Sequence, residues 1–569
     1  MLRRASAVVS VLALAVAGSA APAGARDPVG QLMSAMTLSE KVGQMFVSYV
    51  YGASASTPST ANEALFGAGV ATGAQAVAKY HLGGVIYFTW SGNLANPPQI
   101  ADLSNGLQQS AIADSGIPLQ ISTDQEGGVV NRIGAPLAIS PGNMAVGATF
   151  KPADAFRAAR VSGTELRALG INVVDAPVVD VNTNPRNTAD GPRAFGDRTR
   201  QVSVFSASAV AGYRAAGIGA QAKHFPGLGD TTVNTDNGVA VTNETREQIM
   251  ATHVPPFRAS IAAGAQSIMA AHIVAPALDP SGRPASLSRP IVTGLLRDKL
   301  HFNGVVITDA LDAAALDDIP DDQIVLDAVD AGIDQLLMPK DVPGAIQTVL
   351  DAVAAGTITE ARIDQSVRRI LRMKRGLGLF DDPYVPAPVV GTPEHLQTMA
   401  DVAAHSITQL RNTALPLQPG QDVLVTGWGV STTTNLTNSL TARGLTATRF
   451  YTGSPSAAVI AQAVAAAQAA DVTVVTTFNA WGDATQQSLV AALLATGKPI
   501  VVASIGGPYD IAYFPTATTY LAAYGYQPPS VAALADVLAG KAEAVGRLPV
   551  TIRSVDGSEV LFPYGSHGS

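Results

Sequence analysis

Five short apolar runs in the first two thirds of the chain end on polar residues of the kind that do chemistry. Leu119–Thr123 is followed by Asp124, in DQEGG. Val173–Val181 is followed by Asn182, Asn184 and then Arg193. Gly217–Ala222 runs into Lys223 and His224, in KHFPGLGD. Ser267–Ala271 precedes His272, and Gly304–Thr308 precedes Asp309, in ITDAL. That is a dense set of polar ends for a chain in which only 14% of residues are charged. Two or more carboxylates beside a cationic cluster suit carboxylate catalysis on a polyhydroxylated substrate, with buried donors and acceptors selecting the hydroxyls. Each residue also has a plainer reading. Asp124 or Asp309 could cap a helix, Arg193 could sit in a loop ion pair, and His224 or His272 could be a satisfied core histidine. Metal ligation fits less well, because there is no HExxH and the two histidines fall on different units. The loop around Gly227 and Gly229 lacks the GK[ST] or GxGxxG ending that cradles phosphate. No metal and no cofactor is expected.

The elements that must carry these residues form an α/β pattern. Gly84–Phe88, the five runs above and Gln335–Met338 are short and apolar, and Ala-rich segments of helical periodicity such as Ser203–Ala216 and Gly344–Ala355 separate them. Short apolar strands alternating with helices imply a parallel sheet covered on both faces. Seven or so such units over residues 27–380 fit a (β/α)₈ TIM-type barrel, in which polar residues past the strand carboxyl ends face the active site. The barrel region closes with a helix. Thr357 and Glu360 have capping-box spacing, Ile363, Val367, Ile370 and Leu371 share one face, and Gly376 and Gly378 stop it. Residues 381–393 contain Pro383, Pro386, Pro388 and Pro393 and read as a linker. Residues 394–569 read as a smaller α/β sandwich domain, with strands at Val423–Thr426, Val472–Thr477, Ile500–Ser504 and Tyr520–Ala523.

Charge and the N-terminus narrow the function classes. Lys+Arg 36 against Asp+Glu 44 gives −8, with no basic stripe, which disfavours nucleic acid as a partner. Arg3 and Arg4, the apolar Val8–Ala17 and Ala23-Gly24-Ala25 have the form of a secretory signal peptide over residues 1–25, cut after Ala25. No apolar run reaches the 18 or so residues of a membrane span. There is no cysteine, so an exported chain would rest on its core rather than on disulfides.

Several stretches resemble glycoside hydrolase family 3. They are MTLSEKVGQMF (Met36–Phe46), DQEGG (Asp124–Gly128), PRAFGDR (Pro192–Arg198), KHFPGLGDT (Lys223–Thr231), GVVITDAL (Gly304–Leu311) and RILRMKRGLGLF (Arg369–Phe380). Within that family they are most similar to bacterial exo-β-N-acetylglucosaminidases. The likeness runs from about Thr37 to Phe380 and continues more loosely through VVTTFNA (Val474–Ala480) and GRLPVTI (Gly546–Ile552). It implies a retaining exo-glycosidase acting on oligosaccharides, with Asp309 as nucleophile and Asp124, Arg193, Lys223 and His224 holding sugar hydroxyls. His272, at its own strand end, joins the expected binding set.

One departure stands out. Where the N-acetylglucosaminidase branch carries an Asp-Ser/Thr-His acid/base, this chain has Asn234-Thr235-Asp236. Asp236 is therefore the candidate acid/base, with Asp483, Glu543 and Glu559 as outside options for the glutamate that β-glucosidases draw from the second domain. A carboxylate at Asp236 would repel phosphate as an acceptor. The expected activity is release of terminal non-reducing β-N-acetylglucosamine from chitin or cell-wall oligosaccharides. The alternatives are a β-glucosidase or β-xylosidase of the same family, or a catalytically degenerate sugar-binding protein.

Overall fold

The computed structural model describes residues 27–568. The expected signal peptide and its cleavage after Ala25 lie outside the described residues. The first eight strands are β1 (Phe46–Ser48), β2 (Gly84–Ile86), β3 (Gln120–Thr123), β4 (Val173–Val174), β5 (Gly219–Phe225), β6 (Ser267–Ala270), β7 (Val305–Thr308) and β8 (Leu336–Leu337). Neighbours pair in parallel around a ring that runs β8-β1-β2-β3-β4-β5-β6-β7. A parallel bridge between Ile307 and Gln335 joins β7 back to β8 and closes it. All eight strands are buried along their length, which is why they read as apolar runs without alternation.

Three local readings shift. β1, three residues at the end of MTLSEKVGQMF, is the strand that apolar-run reasoning passes over. Its helix, Leu38–Gly43, is marked by a capping box between Thr37 and Glu40. Val173–Val181 is one run in sequence but only Val173–Val174 is laddered, because Pro177 has no N–H to give a neighbouring strand. The chain returns to the sheet at Val178, which bridges Lys223. The helix Glu360–Gly376 buries Ile363, Val367, Ile370 and Leu371 as its periodicity predicts, but its cap is Thr359, whose hydroxyl accepts the Arg362 N–H at 3.2 Å. Thr357 instead donates to the Ala352 carbonyl.

The stretch after Phe380 carries no helix or strand until Pro393–Ser406. It is strapped to the barrel nonetheless. Asn105 makes a two-way bond with the Val385 backbone, and Glu165 accepts the Gly391 N–H at 2.7 Å.

The second unit holds β9 (Thr408–Arg411), β10 (Asp422–Gly427), β11 (Thr446–Tyr451), β12 (Val472–Thr477), β13 (Ile500–Ser504) and β14 (Thr519–Ala522). They are ordered β9-β14-β13-β12-β10-β11, parallel except for β9 against β14. Alternate residues serve opposite cores: Leu424, Val475 and Val502 on one side, Val423, Val425, Val474 and Val501 on the other. This is a sheet sandwiched between helices. The first of these cores also takes in Met144, Ala145 and Ala148 from the barrel unit. Among the described residues no helix is long and apolar enough to cross a membrane.

Candidate active site

A cavity of about 510 Å³ opens at the carboxyl ends of the barrel strands, and only barrel residues line it. Its floor is a chain of ion pairs. Lys223, on β5, puts its ammonium 2.6 Å from Asp124 and 2.9 Å from Glu126. Arg193, brought in by the turn Gly191–Arg193, forks onto Glu126 with two bonds of 2.8 Å. Arg132 reaches Asp124 at 3.2 Å. Lys223 and His224 are consecutive yet both line the cavity. A register shift between Ala222 and Phe225 breaks the strand's alternation there.

His224 is aimed from behind. Its Nδ1 lies 2.7 Å from the Asp180 carboxylate, which also accepts the Leu228 N–H, while Nε2 faces Arg193 at 3.3 Å. Burial alone would lower the imidazole, but the charge and hydrogen bond of Asp180 more than reverse this and hold it above its usual range. Burial works against the charge of Glu126 too, and Arg193 and Lys223 outweigh it, so Glu126 stays well below the usual carboxylate range. Two other acids are pushed the opposite way. Burial, reinforced by Asp124, lifts Asp175 to about 7, and burial, reinforced by Asp180, lifts Asp190 to about 8. The cavity wall therefore sets the anionic acceptor Asp124 close to Asp175, a carboxyl whose charged form is disfavoured, a mixture that suits hydroxyl groups.

Three carboxyls stand at the mouth. Asp309 follows β7, and its side chain accepts the N–H of Ala310 at 2.9 Å. Asp236 comes from the loop after β5. Backbone bonds from Ala315 to Thr235 (3.1 Å) and from Ala314 to Asp236 (3.4 Å) lay that loop onto the segment following Asp309. Asn234 shapes the loop by accepting the Asp236 N–H at 2.9 Å. Asp312 is the third, lifted by burial and then by the charges of Asp236 and Asp309.

Of the expected residues, Asp124, Arg193, Lys223, His224, Asp236 and Asp309 all line this cavity. His272 does not. It is fully buried, with Nδ1 on the Ser286 hydroxyl (2.7 Å) and Nε2 on the Ala310 carbonyl (2.9 Å). Both ring nitrogens are used inside the protein, so its place is under the Asp309 loop rather than against a sugar. Asn182 bonds Tyr509 of the second unit, and Asn184 bonds the Asp230 carbonyl. Asp483 caps the helix Ala484–Leu494, and Glu543 and Glu559 are exposed on the second unit. Glu126, Arg132, Asp175 and Asp312 escaped the sequence reading. Glu126 had a signal, being the second acid of DQEGG. One set has metal-like composition: the ligand atoms of Asp180, Asp190 and His224 lie within 4.8 Å of one another. Its positive charge is already supplied by the imidazole and by Arg193.

Residues 37–373 match the glycosyl hydrolase family 3 N terminal domain and residues 395–567 the C-terminal domain of that family. The chain belongs to glycoside hydrolase family 3. Among its family 3 relatives is a protein of Pseudoalteromonas piscicida named beta-hexosaminidase A. It is 33% identical over 544 residues, covering 84% of this chain and 90% of that one. A Cellulomonas fimi protein named beta-N-acetylglucosaminidase/beta-glucosidase is 31% identical over 510 residues, covering 83% and 88%. A family 3 beta-N-acetylglucosaminidase from Paenibacillus sp. str. FPU-7 superposes with a TM-score of 0.85 at 34% identity, over 92% of this chain and all (100%) of that one. The family's barrel and sandwich architecture is the one described above.

Proposed function

We propose that the protein is a retaining, exo-acting β-N-acetylhexosaminidase that releases terminal non-reducing β-N-acetylglucosamine from chitin or cell-wall oligosaccharides. The observation that carries this reading is Asp309 standing in one cavity with the buried floor of Asp124, Lys223, Glu126 and Arg193. In this reading the floor grips the hydroxyls of the terminal sugar. Asp309 attacks the anomeric carbon, the glycosidic C–O bond breaks, and the departing oxygen takes a proton from Asp236. Water then adds to the anomeric carbon, passing its proton to Asp236, and Asp309 leaves as carboxylate. Ile86, Met269 and Leu337 give the cavity an apolar wall suited to an acetamido methyl. The names of the Pseudoalteromonas and Paenibacillus relatives support the choice of sugar. Residues 1–25 serve in this reading as a signal peptide, and N-terminal sequencing of protein recovered from the medium tests that, with Arg26 expected first.

A panel of aryl β-glycosides on the purified protein tests the activity. Fastest turnover of the N-acetylglucosaminide supports the reading, whereas a faster glucoside or xyloside replaces the sugar. Silence across the panel makes the protein a sugar binder. Asp309→Ala is expected to lose a factor of about 10³ or more, in keeping with removal of a member of a catalytic unit.

Asp312 lines the same cavity as Asp309 and Asp236, with its carboxyl shifted upward by burial and then by their charges, and this favours a second reading of the proton donor. Losing the true acid should cost about 10²–10⁴-fold on a disaccharide and far less on an aryl glycoside whose leaving group needs no proton. Azide should rescue the aryl reaction by standing in for activated water. The variant that behaves so, Asp236→Ala or Asp312→Ala, identifies the donor.

A further inference from the structure

Trp90 is the most exposed aromatic side chain of the described residues, at 54%, and it lines the catalytic cavity. It is held by three aromatic neighbours. Phe88 stacks beneath it with ring centres 4.8 Å apart and planes 19° from parallel. Tyr49 meets it edge-on at 4.9 Å and Tyr51 at 5.8 Å. The backbone around it is fixed as well. Asn93, fully buried, donates to the carbonyls of Val50 (3.0 Å) and Gly52 (2.9 Å), and the Gly52 N–H returns a bond to Ser91. These bonds lock the loop after β2 to the loop after β1. The result is a large indole kept in one orientation at the cavity wall, with one face on Phe88 and the rest in water.

Its position supplies the reason. The charged floor lies deep and suits the polar rim of one sugar. Trp90 lies at the exposed end, on the side of the cavity where Asp312 neighbours Tyr49, Asp236 and Asp309. In the proposed reaction Asp236 protonates the leaving group, which makes this the side from which it departs. A β-linked pyranose with equatorial substituents presents axial C–H groups on its faces, and such a face lies well on an indole.

We propose that Trp90, fixed by Phe88, Tyr49, Tyr51 and the Asn93 clamp, is the stacking platform for the sugar ring on the leaving-group side of the cleaved bond. The preferred substrates are then oligosaccharides rather than simple alkyl glycosides. This rests on the proposed function for the orientation of the substrate but not for the identity of the sugar.

Calorimetric titration tests it without turnover, in protein carrying Asp309→Asn. The probes are N-acetylglucosamine, its β-1,4 disaccharide, and the pair glucose and cellobiose. For whichever pair binds, the disaccharide should bind more tightly than its monosaccharide, and Trp90→Ala should remove that advantage, a change on the order of tenfold. Trp90→Phe should keep part of it. Cellobiose binding with the advantage lost in Trp90→Ala, while the N-acetylated disaccharide fails to bind, would retain the platform and reject the N-acetylglucosamine reading. Equal weakening of both members of a pair, an undiminished advantage in Trp90→Ala, or no binding by either disaccharide would overturn the platform.

Discussion

Lys223 is the residue on which the floor of the cavity turns. It is 2% exposed and lies between two carboxylates, each of which has one further cation, Arg132 for Asp124 and Arg193 for Glu126. Lys223→Ala is expected to lower kcat/KM by about 2–4 kcal/mol, because buried donors to hydroxyls are strong discriminators. The same variant should melt earlier, since it leaves two neighbouring buried acids with one arginine each; unchanged melting would mean that Arg132 and Arg193 suffice. Glu126→Gln tests the opposite sign of charge. It leaves Arg193 and Lys223 short of an anion and should destabilise the fold by roughly 3–5 kcal/mol, read by denaturant unfolding. At this scale the sequence was informative wherever a polar residue closed an apolar run. It was silent where one residue type has two fates. His272 and His224 both follow or end strands, yet one is consumed by Ser286 and Ala310 and the other faces the cavity. Nothing in spacing distinguishes a ring whose nitrogens are already bonded. Asp312 was missed for a similar reason, because it gains its character from loop contacts with Asp236 that no local pattern records.

The helix Glu360–Gly376 shows how an element can carry a cost as well as a core. Its Lys374 is fully buried, and its ammonium has one partner, Gln44 Oε1 at 2.6 Å. Burial pushes this lysine down to about 7 from the ordinary 10.5. Between those values the unfolded chain holds a proton that the native state does not, so this group makes stability rise with pH from about 7 to about 10.5. Lys374→Met should therefore stabilise the protein at pH 7 by roughly 1–4 kcal/mol, with the gain shrinking as pH approaches 10. Melting curves of both proteins across that range check it; a gain that is flat with pH would show that packing rather than charge is responsible. Element types were legible because a buried parallel strand and an amphipathic helix leave different periods. β9 and β11 were not, since they are the edge strands of the second sheet and β11 is largely exposed. β11 has no buried face to specify, and the buried face of β9 is only Thr408 and Leu410, so neither leaves an apolar run.

At the scale of the whole molecule, the second unit contributes no side chain to the cavity but holds the loops that do. Gln527 donates to the Gly128 carbonyl at 2.7 Å, Tyr526 to Val129 at 3.3 Å, and Asn182 reaches Tyr509 at 2.9 Å. Gly128 and Val129 are the turn between the antiparallel strands Gln125–Gly127 and Val130–Asn131, a hairpin that carries Glu126 and directly follows Asp124. Gln527→Ala should thus lower kcat/KM several-fold without touching substrate, a loss that glutamate at the same position would not restore, since it brings no donor. Residues 27–392 expressed alone should fail to give a cooperative melt, because Met144, Ala145 and Ala148 would lose the core they share with the sandwich. A soluble, cooperatively folding fragment would show that the two units are separable. The two-unit division was readable from the proline-rich stretch, but the shared core was not, because Met144–Ala148 lie more than 200 residues from the sheet they cover.

The sealed floor has a consequence for traffic. Among the described residues, buried strand residues such as Gln120, Ser122 and Gln221 close the barrel below Asp124 and Lys223, so the pit opens at the strand carboxyl ends, and Trp90 lines it there. If the hydrolase releases terminal sugars, as proposed above, the order of departure is imposed. The shortened chain must leave before water can enter, and the freed monosaccharide goes last, by the route along which the polymer arrived. An enzyme acting in that way cannot walk along a glycan. Each cut ends an encounter, every released chain competes afresh with all others, and a digest should shorten the whole population in step rather than consume a few molecules to completion.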